Sequence, residues 1–131
     1  MSQTITPFLM FDGCAEQAVR FYVAIFEDAE IRRITRYGPG EQGAEGSVQR
    51  ADFRLAGRDF IAIDSPVTHA FGFTPALSLF VECDSEAALD SAYKQLAEGG
   101  HELMPLDDYG FSRKFGWLDD RFGVSWQLNL A

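Results

Sequence analysis

An internal repeat constrains the fold of this chain more strongly than any other feature of its sequence. Each half reads as one strand, one helix and three further strands, and matching residues stand at nearly the same separation. Thr6-Pro7 matches Thr74-Pro75, and Gly57 matches Gly123. A duplicated βαβββ unit accounts for such regular spacing better than coincidence does. We therefore expect an α+β fold made of two tandem βαβββ units.

The two predicted units take up almost the whole chain. The first should cover about residues 4–65 and the second about residues 74–131, together forming a single domain over residues 1–131. The segment between them is irregular and contains Ser65-Pro66 and Gly72, which is typical of a linker. A chain of 131 residues suits one domain, because each half alone would be marginal in size.

Hydrophobic periodicity locates the helices and strands. Apolar residues recur at helical spacing after Asp12-Gly13, and again after Asp84 or Ser85, either of which can cap a helix that ends at Gly99-Gly100. Short apolar or alternating runs predict eight strands. They cover residues 4–11, 29–37, 48–55, 60–63, 77–81, 101–104, 111–118 and 124–130.

Charge and hydropathy argue against several classes of partner. The formal net charge is −9 and there is no run of lysine or arginine, whereas nucleic acids and anionic membranes require clustered cations. The first residues lack the basic and apolar regions of a signal peptide, and no apolar run is long enough to span a bilayer. We therefore expect a cytoplasmic protein that binds neither nucleic acid nor membrane.

Several apparent motifs have simpler explanations than catalysis. Residues 38–43 match the GxGxxG pattern of dinucleotide sites, but a strand follows them where the motif needs a helix, so they predict a turn. Cys14 and Cys83 form no Cys-x-x-Cys motif, and free thiols are expected. Asp107-Asp108 and Asp119-Asp120 fit turns, where aspartate is favoured for local reasons.

Four segments carry a resemblance to a known family. They are Thr6–Gly13, Phe21-Tyr22, Phe73–Val81 and Gly116–Gln127. Through them the chain resembles the PhnB-like family, also described as 3-demethylubiquinone methyltransferase-like, within the vicinal oxygen chelate superfamily of glyoxalases, bleomycin-resistance proteins and dioxygenases. The resemblance implies that each unit curls a mixed sheet into a half-barrel with its helix outside. It also implies that two units, within one chain or across a dimer, enclose a cavity, and that the protein is a homodimer.

The founding enzymes of that superfamily hold a divalent metal through side chains on the first and last strand of each unit. At those places this chain offers Pro7, Phe8, Leu77, Ser78, Ile61 and Gln127. One amide oxygen and one hydroxyl cannot hold a metal against water. His69 and His101 lack the spacing of a paired metal site. We therefore expect no cofactor, with a divalent metal as the alternative if its ligands lie elsewhere.

The half-barrel implied by the resemblance would place alternate strand residues in a cavity. The candidates are Phe8, Met10, Ser78, Phe80, Trp117 and Gln127. Trp126 either lines the cavity or packs under a helix, and His69 could contribute a polar group from the linker. Aromatic side chains with a few polar tips suit a small, mostly apolar ligand. The alternative is that these side chains simply fill a core.

Two functions from different classes follow from these expectations. The first is a small-molecule-binding protein that lacks a full set of metal ligands and holds its ligand between curled sheets. The second is a metal-dependent lyase or isomerase, similar to glyoxalase, acting on a small oxygenated substrate. Methyl transfer is not expected, because it generally uses a doubly wound sheet with a glycine-rich first turn, and the predicted elements do not form one.

Overall fold

The computed structural model describes residues 2–131 and divides into two units, with a boundary between Ala70 and Phe71. Each unit contains one helix and one four-stranded sheet of mixed direction, in the order strand, helix, strand, strand, strand. This arrangement confirms the α+β class and the tandem βαβββ repeat. No helix among the described residues is long and apolar enough to cross a membrane.

Unit 1 contains β1 (Phe8–Phe11), α1 (Ala15–Ile25), β2 (Glu30–Arg36), β3 (Val48–Leu55) and β4 (Arg58–Asp64). Its sheet has the order β1-β4-β3-β2, with β1 parallel to β4 and the other neighbours antiparallel. Alternate strand residues are buried with the apolar stripe of α1, so the helix covers one face of the sheet. Residues 38–43 form no helix, as predicted.

Unit 2 repeats the plan with β5 (Leu79–Cys83), α2 (Glu86–Ala97), β6 (His101–Asp107), β7 (Lys114–Asp119) and β8 (Ser125–Leu130). Its sheet has the order β5-β8-β7-β6, and β5 runs parallel to β8. The α2 helix begins after Ser85, whose hydroxyl accepts a hydrogen bond from the Ala88 backbone N–H at 3.1 Å. Ser85 is therefore the cap, and Asp84 is not.

Three strands begin two or more residues later than predicted. The first strand begins at Phe8, four residues after Thr4, because Pro7 comes immediately before the paired segment. The fifth begins at Leu79, because residues 74–77 form a turn in which Leu77 N–H donates to the Thr74 carbonyl. The seventh begins at Lys114, because residues 108–113 form a loop.

The turn at residues 74–77 also changes which residues of the two first strands are equivalent. Phe8 pairs in register with Ile61, and Phe80 pairs with Gln127, the repeat mate of Ile61. Phe80 is therefore the counterpart of Phe8, and the assignment of Leu77 and Ser78 to that place was wrong. The correspondence inferred from Thr6-Pro7 does not extend into β5, the first strand of unit 2, because the turn at residues 74–77 precedes that strand.

Candidate functional site

The sheet of unit 2 has one face covered by α2 and one face free of it. Leu118, Trp126, Leu128 and Leu130 are buried on the helix-covered face. Side chains alternate along a strand, and partners in register share a face, so the remaining strand positions lie opposite. We call this set the open face of unit 2. It comprises Ser78, Phe80 and Glu82, Phe115, Trp117 and Asp119, and Ser125, Gln127 and Asn129.

Three polar side chains project to the open face from β8, and we call Ser125, Gln127 and Asn129 the β8 polar row. Gln127 lies at its centre, with Phe80 beside it on β5 and Trp117 beside it on β7. The two aromatic neighbours are apolar on their faces, whereas the Gln127 amide can both donate and accept. The centre of this face thus combines a planar apolar surface with one amide.

Ser125 lies at the start of β8 and connects the β8 polar row to β7 and to the residue just before β5. Its hydroxyl oxygen accepts a hydrogen bond from Trp117 Nε1 at 2.8 Å and lies 2.9 Å from the Ser78 hydroxyl. Ser125 is almost fully buried, so both contacts are shielded from water. The indole of Trp117 is consequently held in one orientation beside Gln127.

Asn129 lies at the other end of the β8 polar row and contacts the carboxylate of Glu82. Its Nδ2 donates to both Glu82 oxygens, at 3.2 and 3.1 Å. Because a carboxylate only accepts, the Asn129 amide nitrogen must face Glu82 and the amide oxygen must point away. That oxygen is buried and accepts no hydrogen bond from the described residues. Asn129 as a whole is only 8% exposed.

Aromatic rings cover the part of the open face next to Asn129. Phe115, which pairs in register with Asn129, lies 5.0 Å from Phe111 and 6.2 Å from Tyr109 between ring centroids. Phe80 approaches the same ring at 6.5 Å. Phe80 is 55% exposed, and Tyr109 and Phe111 are exposed as well. The surface is therefore aromatic and accessible from solution.

The open face of unit 1 has a different character. Phe8 and Met10 lie there beside Ile61 and Ile63, and Phe8 is 56% exposed. The rest of the face is charged, with the guanidinium of Arg50 paired to Asp52 at 2.8 Å. On β4 the places of Gln127 and Asn129 are taken by Ile61 and Ile63, so neither amide of β8 has a counterpart there.

Six of the predicted cavity residues lie on open faces in the two units. They are Phe8 and Met10 in unit 1, and Phe80, Trp117 and Gln127 in unit 2, with Ser78 immediately before β5 bonded to Ser125. Trp126, whose side the sequence left open, lies on the helix-covered face and is 2% exposed. Its Nε1 donates to Asp120 Oδ2 at 2.8 Å. It is therefore not part of the open face.

His69 lies outside both sheets. Its Nε2 is 2.9 Å from the Ser65 hydroxyl, within the segment that follows β4. This contact gives the imidazole a local structural partner in unit 1. A contribution of His69 to a ligand site stays a prediction.

The residues on the first and last strands are the ones that would have to hold a divalent metal. In register these are Phe8 with Ile61, and Phe80 with Gln127, so the four side chains offer one amide and no imidazole, carboxylate or thiolate. This donor set does not fit the metal of the superfamily's founding enzymes. Within residues 2–131 no three His, Cys, Asp or Glu side chains are grouped as a metal site would require.

Cys83 follows Glu82 on β5 but does not supply a nucleophile to this surface. Burial raises the pKa of the Cys83 thiol, and the carboxylates of Asp84 and Glu82 raise it further. Because the thiolate is the reactive form, these surroundings keep the group protonated. Cys14 and Cys83 are both thiols rather than disulfide partners, as expected.

Sequence reasoning missed five residues of the open face of unit 2: Glu82, Phe115, Asp119, Ser125 and Asn129. The alternation of polar Ser125, Gln127 and Asn129 with apolar Trp126, Leu128 and Leu130 could have identified the β8 polar row. Nothing local could have identified Glu82, because its contact with Asn129 joins strands far apart in the chain.

Comparisons with known proteins agree with this fold. A family model described as 3-demethylubiquinone-9 3-methyltransferase matches residues 3–129. The structure of a PhnB protein from Bacillus cereus is 53% identical, with a TM-score of 0.96 and coverage of 98% of this chain and 100% of that one. Protein YjdN of Escherichia coli strain K12 is 25% identical over 146 residues, covering 97% of this chain and 95% of that protein.

A more distant structure shows the same fold. The glyoxylase/bleomycin resistance protein/dioxygenase domain from Frankia sp. EAN1pec is 17% identical, with a TM-score of 0.71 and coverage of 100% of this chain and 93% of that one. At this identity the match concerns the arrangement of helices and strands alone.

Proposed function

The chain belongs to the 3-demethylubiquinone-9 3-methyltransferase-like (PhnB) family of the glyoxalase/bleomycin resistance/dioxygenase superfamily, and on that premise we propose that it is a small-molecule-binding protein. Its ligand occupies the open face of unit 2, over Gln127 and between Phe80 and Trp117. One observation carries the proposal. A half-exposed amide lies between two aromatic side chains on a sheet face that its own helix leaves uncovered.

The chemistry of this face suits a small planar or mostly apolar ligand. Aromatic faces bind apolar groups by stacking and burial, while one or two polar groups set the orientation of a ligand. Gln127 supplies both a donor and an acceptor at the centre. Trp117 is held by its hydrogen bond to Ser125, so its ring presents a fixed surface and loses little entropy on binding.

We do not propose methyl transfer as the activity of this chain, although its family is described as a methyltransferase. The sheets of both units are mixed and four-stranded, whereas nucleotide-type cofactors generally bind a doubly wound parallel sheet beside a glycine-rich first turn. The GxGxxG segment lies between β2 and β3 and opens no helix. We infer that the family description is a name rather than the activity of this chain.

A thermal-shift screen of small aromatic and oxygenated compounds tests the proposal. A compound that binds only the native state raises the unfolding midpoint in proportion to its concentration and affinity. For any such compound, Gln127→Ala should weaken binding about fivefold, the value of one lost hydrogen bond. Gln95→Ala is the matched control, because Gln95 is exposed on α2 and bonds only to Ser91.

Three results would contradict the binding proposal. Equal effects of Gln127→Ala and Gln95→Ala would place the ligand elsewhere. Stoichiometric Zn, Mn, Fe or Ni in protein purified without chelator or histidine tag, lost in Gln127→Ala, would instead favour the metal-dependent lyase or isomerase. Consumption of the ligand during the assay would point the same way.

A further inference from the structure

Among the described residues, the open face of unit 2 carries carboxylates but no lysine or arginine. Glu82 projects from β5 to this face, Asp119 from β7, and Asp107 pairs in register with Phe115 at the edge. Unit 2 has ten acidic residues against four lysines and arginines. A ligand on this face therefore meets carboxylates close to the aromatic surface described above.

Each of the four basic residues of unit 2 either contacts another group or lies away from the open face. Lys114 binds Glu86 and Asp90 on α2, and Arg113 donates to the Ala131 backbone oxygen. Arg121 lies over the ring of Phe122 in the β7–β8 turn, and Lys94 is on α2. The imidazole of His101 lies on the edge strand β6, in register with Asp119. Within residues 71–131, no lysine or arginine side chain forms an ion pair with Glu82.

The unsatisfied polar atoms of this face are acceptors. Asp119 Oδ1 and Asn129 Oδ1 are both buried and receive no hydrogen bond from the described residues. Asn129 is more than nine-tenths buried, and its amide is oriented by Glu82, so its oxygen cannot be exchanged for the nitrogen without losing that contact. A buried acceptor without a donor is costly, and a ligand with N–H groups would relieve that cost.

The aromatic rings next to Glu82 also favour a cationic ligand. Phe80 and Phe115 belong to the cluster beside the Glu82–Asn129 contact. The face of an aromatic ring attracts cations through its quadrupole, most strongly when water is partly excluded. The open face of unit 1 differs, since Arg33, Arg50 and Arg54 lie there together with carboxylates such as Asp52 and Asp59, so both signs of charge are present.

We propose that the open face of unit 2 selects ligands in which an apolar or aromatic body carries an ammonium or another cationic nitrogen donor. The body stacks between Phe80 and Trp117, and the cationic group lies at Glu82 and Asn129. This inference rests on the proposed function and names the chemical class of the ligand.

Three probes with one scaffold and different charges test the selection: 4-phenylbutylammonium, 4-phenyl-1-butanol and 4-phenylbutanoate. Isothermal titration calorimetry at pH 7 and low salt should give the ammonium the highest affinity. We expect it to bind about fivefold more tightly than the alcohol, from the combined effect of one carboxylate and neighbouring rings. The carboxylate probe should bind more weakly than the alcohol.

Glu82→Gln removes the charge while keeping an acceptor for Asn129. It should reduce the affinity for the ammonium about three- to fivefold and leave that for the alcohol unchanged. Glu98→Gln makes the same change of charge at the exposed end of α2 and should alter neither affinity. Unchanged unfolding midpoints would show that both variants are folded.

The outcomes separate this inference from the proposed function. Equal or tighter binding of the carboxylate probe, or equal effects of Glu82→Gln and Glu98→Gln, would overturn the charge selection. If Phe80→Ala still weakened all three probes, the binding site itself would stand. If no probe bound, or Phe80→Ala changed nothing, both the selection and the site would be wrong.

Discussion

Two buried carboxylates each hold a junction between elements. Asp64 Oδ1 accepts from the Ala15 N–H at 2.8 Å and its Oδ2 from the Val48 N–H at 2.9 Å, so one side chain joins the start of α1 to β3 and β4. Asp120 closes the β7–β8 turn by accepting from the N–H groups of Phe122 and Val124. Asp120, which the sequence pattern assigned to a turn for local reasons, therefore has a larger structural role than turn preference alone requires.

Asp120→Ala should destabilise the protein by about 3 kcal/mol, because it leaves two backbone donors and the Trp126 indole N–H without their buried acceptor. Urea unfolding followed by tryptophan fluorescence measures the loss. Asp108→Ala is the control, since exposed Asp108 accepts only from Gly110 and its loss should cost under about 1 kcal/mol. Equal losses for the two variants would contradict the role assigned to Asp120.

At the scale of elements, the packing of α2 on its sheet depends on one residue without a side chain. Tyr93 projects from α2 over Gly116 of β7, and its hydroxyl donates to Glu102 at 2.5 Å. Burial raises the pKa of the Tyr93 hydroxyl, and the hydrogen bond to Glu102 raises it further. The tyrosine therefore stays protonated and links the helix to β6 across the glycine. In unit 1 the buried residues of α1 are Ala15, Ala18, Val19 and Tyr22.

Gly116→Ala should destabilise the protein by about 1–3 kcal/mol, because the sheet has no room for a methyl group there. The added Cβ would lie 2.5 Å from Tyr93 Cε2 and 2.8 Å from Leu106 Cδ2, both parts of packed side chains. Thermal unfolding measures the effect. At Gly72 a Cβ would meet nothing within 4 Å, so Gly72→Ala should leave the midpoint nearly unchanged. A stable Gly116→Ala variant would show that α2 can shift at little cost.

At the scale of the whole molecule, the exposed apolar side chains exceed what scattered surface residues would explain. Ile5, Phe8, Phe71, Leu77, Phe80 and Phe111 are all more than half exposed. Large exposed apolar groups mark surfaces that bind ligands or other chains. The resemblance to the superfamily implies a homodimer, which would cover part of this surface and leave the remainder for a ligand.

Multi-angle light scattering should therefore give about twice the chain mass of 14.6 kDa at micromolar concentration. The mass should persist in about 0.5 M salt, because apolar contacts are not screened as surface ion pairs are. A mass equal to that of one chain under both conditions would exclude the dimer. It would also mean that the exposed aromatic groups serve a ligand or another partner.

The sequence by itself determined the repeat, the order of the elements and which side of most strands is apolar. These features follow from local periodicity, which the chain carries in every window of a few residues. The predicted third strand, residues 48–55, is that of the structure, and the residues placed on open faces include Phe8, Phe80 and Gln127. The structure and the comparisons confirm the α+β fold expected from the repeat.

Only the tertiary structure decided which strand residues stand side by side. The turn at residues 74–77 moved the start of β5, so Phe80 lies beside Gln127 and Glu82 beside Asn129. The tertiary structure also decided that Trp126 lies on the helix-covered face, where its indole nitrogen donates to Asp120. Pairing between strands forty or more residues apart depends on the register that all neighbours satisfy together, and no local pattern encodes it. The one-sided charge of the open face of unit 2 arises from that register.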